Sequence, residues 1–126
     1  METSLYERVG GESGVRAIVD GFYDRMDTWA GARNVRALHD ASLRGSRQKL
    51  FMFLSGWLGG PQLYVEAFGH PRLRARHLPF RIDATSAEEW VACMRHALEA
   101  HVEDLELRST IDGALTRLAH HMRNVD

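Results

Sequence analysis

The chain has 126 residues, 44% of them hydrophobic, and its 16 basic and 17 acidic side chains leave a formal net charge of −1. That composition supports one ordinary core without staples and excludes a wholly electrostatic nucleic-acid binder, so a single domain over residues 1–126 is expected. Cys93 is the only cysteine, which excludes a disulfide framework, a C-x-x-C-H motif for covalent cofactor attachment and a cysteine cluster for zinc or iron–sulfur.

Ahead of the first element, Met1-Glu2-Thr3-Ser4 lacks the charged and apolar regions of a signal peptide, and no run approaches the ~20 apolar residues of a membrane span. The expectation is a soluble, cytoplasmic protein with no membrane partner. Ser4-Leu5-Tyr6-Glu7 has capping-box spacing and opens a very short helix that Gly10-Gly11 stops. Val15, Ile18, Val19, Phe22, Met26 and Trp29 then recur at three-and-four spacing, the buried stripe of a helix of about four turns. After Gly31 and a short segment through Leu38-His39, a helix runs from Leu43 to Leu58 and ends at Gly59-Gly60-Pro61.

Pro71 suits a first helical position and Pro79 is expected to push Leu78 out of the α region, so the intervening segment is predicted as a helix of about two turns ending near His77. Thr85-Ser86-Ala87-Glu88-Glu89 offers two overlapping capping boxes for a long helix whose stripe runs Trp90, Met94, Ala97, Leu98, Val102 and Leu105. Ser109-Thr110-Ile111-Asp112 is the expected start of the last helix, facing inward through Ile111, Leu115, Leu118, Met122 and Val125. Phe80-Arg81-Ile82-Asp83 alternates but is too short for a strand. The pattern is all-α, four longer helices joined by short connectors.

Gly69-His70-Pro71-Arg72-Leu73-Arg74-Ala75-Arg76-His77-Leu78-Pro79-Phe80 concentrates chemistry. Arg72, Arg74, Arg76 and Arg81 crowd one histidine in a chain that is otherwise near neutral. Three readings fit these residues: a histidine complementing a helix C-terminus, an arginine patch for nucleic acid, or a haem site in which His77 ligates iron beside propionates. The missing interleaved aromatics weigh against nucleic acid. Elsewhere Tyr23, Ser46 and Trp90 interrupt apolar stripes, and burying their polar atoms costs a few kcal/mol each unless they are satisfied. Singly each has a local explanation, a backbone bond for Tyr23 or Ser46 and simple bulk for Trp90. Together they fit a mostly apolar cavity with a few inward donors, the usual form of a cofactor pocket.

Taken in order, the Phe22-Tyr23 pair, Lys49-Leu50-Phe51-Met52-Phe53-Leu54, Gly56-Trp57-Leu58-Gly59-Gly60-Pro61, the Gly69 to Phe80 block and Trp90-Val91-Ala92-Cys93-Met94 resemble the truncated haemoglobins of the second group, the O-type subfamily. The resemblance covers almost the whole chain. It implies a two-over-two helical sandwich around non-covalent haem b, a stub first helix and little regular structure before the short proximal helix. It further implies His77 as the proximal iron ligand, Tyr23 and Trp90 as distal donors, and Phe22, Ser46 and Leu50 as pocket wall. His39 would be a third distal polar group, and Lys49, Tyr64, Arg76 and Phe53 would contact the haem or its propionates. His70, His96, His101, His120 and His121 receive no role.

The function so implied is binding of dioxygen, NO or CO at a penta-coordinate iron, in storage or in the chemistry of oxygen and reactive species. Donors that slow oxygen release argue against simple delivery. The alternative is a peroxidase-like or NO-dioxygenase enzyme served by an external reductase, with His39 as proton shuttle. A haem-free interaction module using the basic segment is a third reading. A homodimer is compatible with all of them, and no nucleic-acid partner is expected.

Overall fold

Residues 3–125 are described by a computed structural model. Among them there are eight α-helices: α1 (Leu5–Arg8), α2 (Gly11–Thr28), α3 (Arg33–Ala37), α4 (Arg44–Trp57), α5 (Leu63–Phe68), α6 (Leu73–His77), α7 (Ala84–His101) and α8 (Leu105–His121), with one 3-10 turn at Ala30–Ala32. Four are long, as the periodicity requires. They pair as α2 with α4 and α7 with α8, and α2 lies against α7 to join the pairs into a two-over-two arrangement.

Burial explains the pairing. Val15, Ile18, Val19, Phe22 and Met26 of α2 are all nearly inaccessible, and they meet Met94, Ala97 and Leu98 of α7 in one core to which α8 adds Leu107, Ile111 and Leu115. Each large side chain so buried contributes roughly 1.5–3 kcal/mol relative to exposure. The α1 stub is capped by Ser4, whose Oγ accepts from the Glu7 amide at 3.1 Å, and it is tied to the end of α4 by the Tyr6 N–H donating to the Leu58 carbonyl at 2.8 Å. Gly60 lets the Tyr6 ring pass at a distance that any Cβ would block. At the close of α4, buried Ser55 donates its hydroxyl to the Pro61 carbonyl at 2.9 Å.

Several expected boundaries move, each for a local reason. Trp29 is the extended C-cap of α2, outside the helix. Helix α7 begins at Ala84, because Asp83 caps it by accepting from the Ser86 amide, ahead of the expected boxes at Thr85 and Ser86. It also ends earlier than its apolar stripe: Val102 is extended and buried, and Leu105 stands 70% exposed. The last helix therefore starts at Leu105, not Ser109, under the Asp104 cap. Near its other end Met122 is buried as expected, while Val125 is half-buried beyond the helix.

The region before His77 departs most. Where little regular structure was expected, α5 occupies Leu63–Phe68 and buries Tyr64. Pro71 lies outside α6, which starts at Leu73 after Arg72, a non-glycine residue at φ +44° whose amide donates to His70 Nδ1 at 3.1 Å. Leu78 keeps α dihedrals despite preceding Pro79, since a tight turn closes over the proline through the Phe80 N–H and the His77 carbonyl at 3.0 Å. Helix α6 is thus only five residues long.

Candidate functional site

His77 is the last residue of α6, and its Nδ1 stands 2.6 Å from the Leu73 carbonyl one turn earlier. A carbonyl can only accept, so Nδ1 carries the proton and Nε2 keeps a free lone pair, the arrangement of a metal-ligating imidazole held by a backbone acceptor. Beside it Phe80 has its ring 6.5 Å away. Phe68, Leu78 and Phe80 are about half exposed, an apolar display on either side of a histidine that invites a covering group.

The distal groups come together from three helices. Phe22 meets Tyr23 edge-on at 4.7 Å and Trp90 at 5.0 Å between ring centroids. Tyr23 in turn meets His39 at 5.9 Å between ring centroids. Burial holds the Tyr23 phenol far above its ordinary range, against smaller opposing effects of Arg47 and Ser46, so the group stays a proton donor. His39 Nδ1 lies 2.8 Å from the Val35 carbonyl, which leaves its Nε2 as an acceptor. Its pKa falls below the usual value, chiefly through burial, with Arg36 and His77 adding to the effect. Leu50 is half-buried against the core on α4.

Around the rim, Tyr64 meets Phe68 at a tilt at 4.9 Å and Phe53 edge-on at 6.4 Å. The Arg76 guanidinium lies over the Tyr64 ring at 5.5 Å, and Lys49 Nζ is 6.0 Å from the Phe68 ring. All four sequence-predicted rim residues therefore share one neighbourhood. Arg76 already has work here: its Nε donates to the Pro71 carbonyl at 2.7 Å and its Nη2 to the Phe68 carbonyl at 3.3 Å. It ties the loop between α5 and α6.

Three contributors carry no obvious sequence signal. Arg47, next to Ser46, bridges Asp20 at 3.1 Å and Asp24 at 2.7 Å and lies 5.8 Å from the Tyr23 ring, locking α4 to α2 beside the phenol. Glu89, next to Trp90, accepts from the Asn34 and Val35 amides at 2.9 and 3.0 Å and from Asn34 Nδ2 at 2.6 Å, so α7 caps the short helix that leads to His39. Asn124 bonds the backbone just after His77. The first two sit beside motif residues, the one clue that could have found them.

This donor set fits haem. Among the described residues no group of three or more His, Cys, Asp or Glu side chains could hold a metal ion, so a metal bound by the single free imidazole must bring its remaining ligands with it. A flat apolar macrocycle would do that and would cover the exposed rings.

An all-α, two-over-two sandwich in which a buried phenol and a half-buried indole pack on the same phenylalanine has the architecture of a truncated globin. The chain belongs to the bacterial-like globin family, whose model matches residues 4–124. It is 39% identical over 119 residues to the group 2 truncated hemoglobin YjbI of Bacillus subtilis (strain 168), covering 94% of this chain and 87% of that one. Among solved structures it is similar to the group II 2-on-2 hemoglobin of the plant pathogen Agrobacterium tumefaciens, with a TM-score of 0.97 and 43% identity over 99% of this chain and 97% of that one. It is also similar to a truncated oxygen-avid haemoglobin from Bacillus subtilis, with a TM-score of 0.87 and 37% identity over 97% and 100% of the two chains. The expected fold is therefore borne out, and the family implies a haem cofactor that binds diatomic gases. No helix among the described residues is long and apolar enough to cross a membrane.

Proposed function

We propose that the chain is a single cytoplasmic domain over residues 1–126 that holds haem b without a covalent bond and binds dioxygen tightly, with NO and CO as further ligands. When bound, the haem would supply an iron able to hold a protein ligand and a gas molecule. His77 Nε2 would hold the iron, and Lys49, Tyr64 and Arg76 would receive the propionates while Leu50 and Phe53 line the ring. Tyr23 and Trp90 would donate to the gas, Phe22 packs against both of their rings, and Ser46 with His39 would orient the phenol. The observation that carries this reading is the buried Tyr23 ring packed against both Phe22 and His39. The likeness to a protein described as oxygen-avid supports it.

Purified protein should be red-brown, and stopped-flow oxygen release should be slow. His77→Gly should lose most haem, with added imidazole restoring the spectrum. A mutant spectrum identical to that of the parent would rule His77 out, and fast oxygen release by the parent would remove the case for tight binding.

A second reading, turnover of NO or peroxide with an external reductase, is favoured by one feature. His39 is kept neutral with Nε2 free to accept a proton beside Tyr23. Mixing the oxygen-bound protein with NO tests it: nitrate should form, and catalytically only when a reductant is present.

A further inference from the structure

Helix α6 carries the residue on which the proposed function depends, yet none of its side chains is buried. Open clefts flank it. One, of about 460 Å³, separates Leu73 and Ala75 from Trp57 of α4 and from Leu118 and Met122 at the end of α8. Another, of about 370 Å³, lies between Arg74 and the segment His120 to Val125. Core packing, which fixes the position of every long helix, cannot fix this one.

What spans the gap is the side chain of Asn124. Its Nδ2 donates to the Phe80 carbonyl at 2.8 Å and to the His77 carbonyl at 3.3 Å, and its Oδ1 accepts from the Ile82 amide at 3.0 Å. The backbone continues the clasp, for the Asn124 N–H donates to the Ile82 carbonyl at 3.0 Å. Ile82 is itself buried, so the clasp runs from the core to the carbonyl of His77. Only a carboxamide supplies both donors and the acceptor: aspartate would set a carboxylate against two carbonyls, and alanine would leave the Phe80 carbonyl and the Ile82 amide to water and the His77 carbonyl with its turn bond from Phe80 alone.

We propose that Asn124 is the positioning residue for the proximal histidine, fixing where the His77 imidazole stands by holding the peptide groups that follow it. The inference rests on His77 being the iron ligand. Within α6 the Nδ1 bond to Leu73 sets the rotation of the ring, and Asn124 sets the height and tilt of the helix end that carries it.

Resonance Raman spectroscopy of the ferrous holoprotein and the rate of haem transfer to an excess of apomyoglobin test this. Asn124→Ala and Asn124→Asp should shift or broaden the iron–histidine stretching band and speed haem loss about tenfold, the effect of roughly one net hydrogen bond. In His77→Gly protein reconstituted with imidazole, where the ligand no longer hangs from the backbone, adding Asn124→Ala should leave the iron–imidazole band unmoved. If the band still moves there, Asn124 acts on the pocket as a whole and the proposal is overturned. An unchanged band and haem-loss rate in both single variants would overturn it too. Hydrogen exchange of the parent holoprotein needs no variant: the Ile82 amide should be protected, and rapid exchange there would also count against the clasp. Failure of imidazole rescue in His77→Gly strikes instead at His77 as ligand.

Discussion

The Tyr23 and His39 rings meet nearly at right angles, 76° between their planes and 5.9 Å between centroids. The contact joins a long buried stripe of α2 to the turn that follows α3, a short helix whose one buried residue is Val35. Because His39 Nδ1 serves the Val35 carbonyl, only Nε2 remains to face the pocket, and only as an acceptor while the ring is neutral.

The pH dependence of stability follows from that neutrality. Burial lowers the folded pKa of His39, so the unfolded chain binds the extra proton first as pH falls below the ordinary histidine value of about 6.5. Stability from keeping His39 neutral is whole above that value and is lost as pH falls towards the folded pKa. In the CO-bound protein the urea midpoint should drop between pH 7 and pH 5, and His39→Phe should drop less. Equal drops would mean that His39 does not titrate differently in the two states.

Oxygen release reads the distal donors directly. Tyr23→Phe and Trp90→Phe should each raise the oxygen off-rate by roughly tenfold or more, if each donor supplies on the order of 1.4 kcal/mol. CO release should change less, since CO gains less from a donor than an oxygen ligand bearing partial negative charge. The double mutant should depart from the product of the singles, because Phe22 touches both rings. Matching changes for the two gases would assign these side chains a steric role.

The sequence discloses this architecture unevenly, and the reason is physical. Helices that bury a stripe announce themselves, as α2 does from Val15 to Met26. Helices held from outside do not. Nothing local marks α3, whose first amides are capped by Glu89 some 54 residues away, or the end of α6, held by Asn124 from 47 residues away. Even a true stripe misleads when its last members change roles: Val102 closes α7 with extended backbone and Leu105 opens α8 towards solvent. Tyr23, Trp90, His39 and His77 were legible as chemistry. That Trp90 and His39 would gather around Phe22 and Tyr23 was not, because it depends on how α2, α7 and the turn after α3 pack in three dimensions.

Cys93 provides a control on the core between α2 and α7. It is fully buried, and burial pushes its thiol up to about 11, outweighing the opposing charge of Arg25. The native protein should react with aromatic disulfide reagents at pH 8 only as fast as it opens, since thiolate is the nucleophile. Under denaturing conditions one thiol per chain should react at once. Rapid labelling of the native protein would show that the core around Phe22 and Leu98 breathes far more than its burial implies.

Glu89 offers the most discriminating substitution, because one carboxylate satisfies two backbone amides and an Asn34 side chain on another element. Glu89→Ala strands those donors at the start of α3 and should cost about 1–2 kcal/mol, the scale of a lost cap. It should also loosen the Val35 carbonyl that fixes the His39 tautomer, so the oxygen off-rate should rise although Glu89 makes no ring contact with Tyr23 or Trp90. Glu89→Gln keeps one acceptor for the backbone but sets its NH₂ against Asn34 Nδ2, a donor facing a donor. It should recover part of the stability and part of the slow release. If Glu89→Ala lowers the urea midpoint while leaving oxygen release untouched, α3 is held by Glu89 for stability alone, and the placement of His39 must come from Val35 packing into the core.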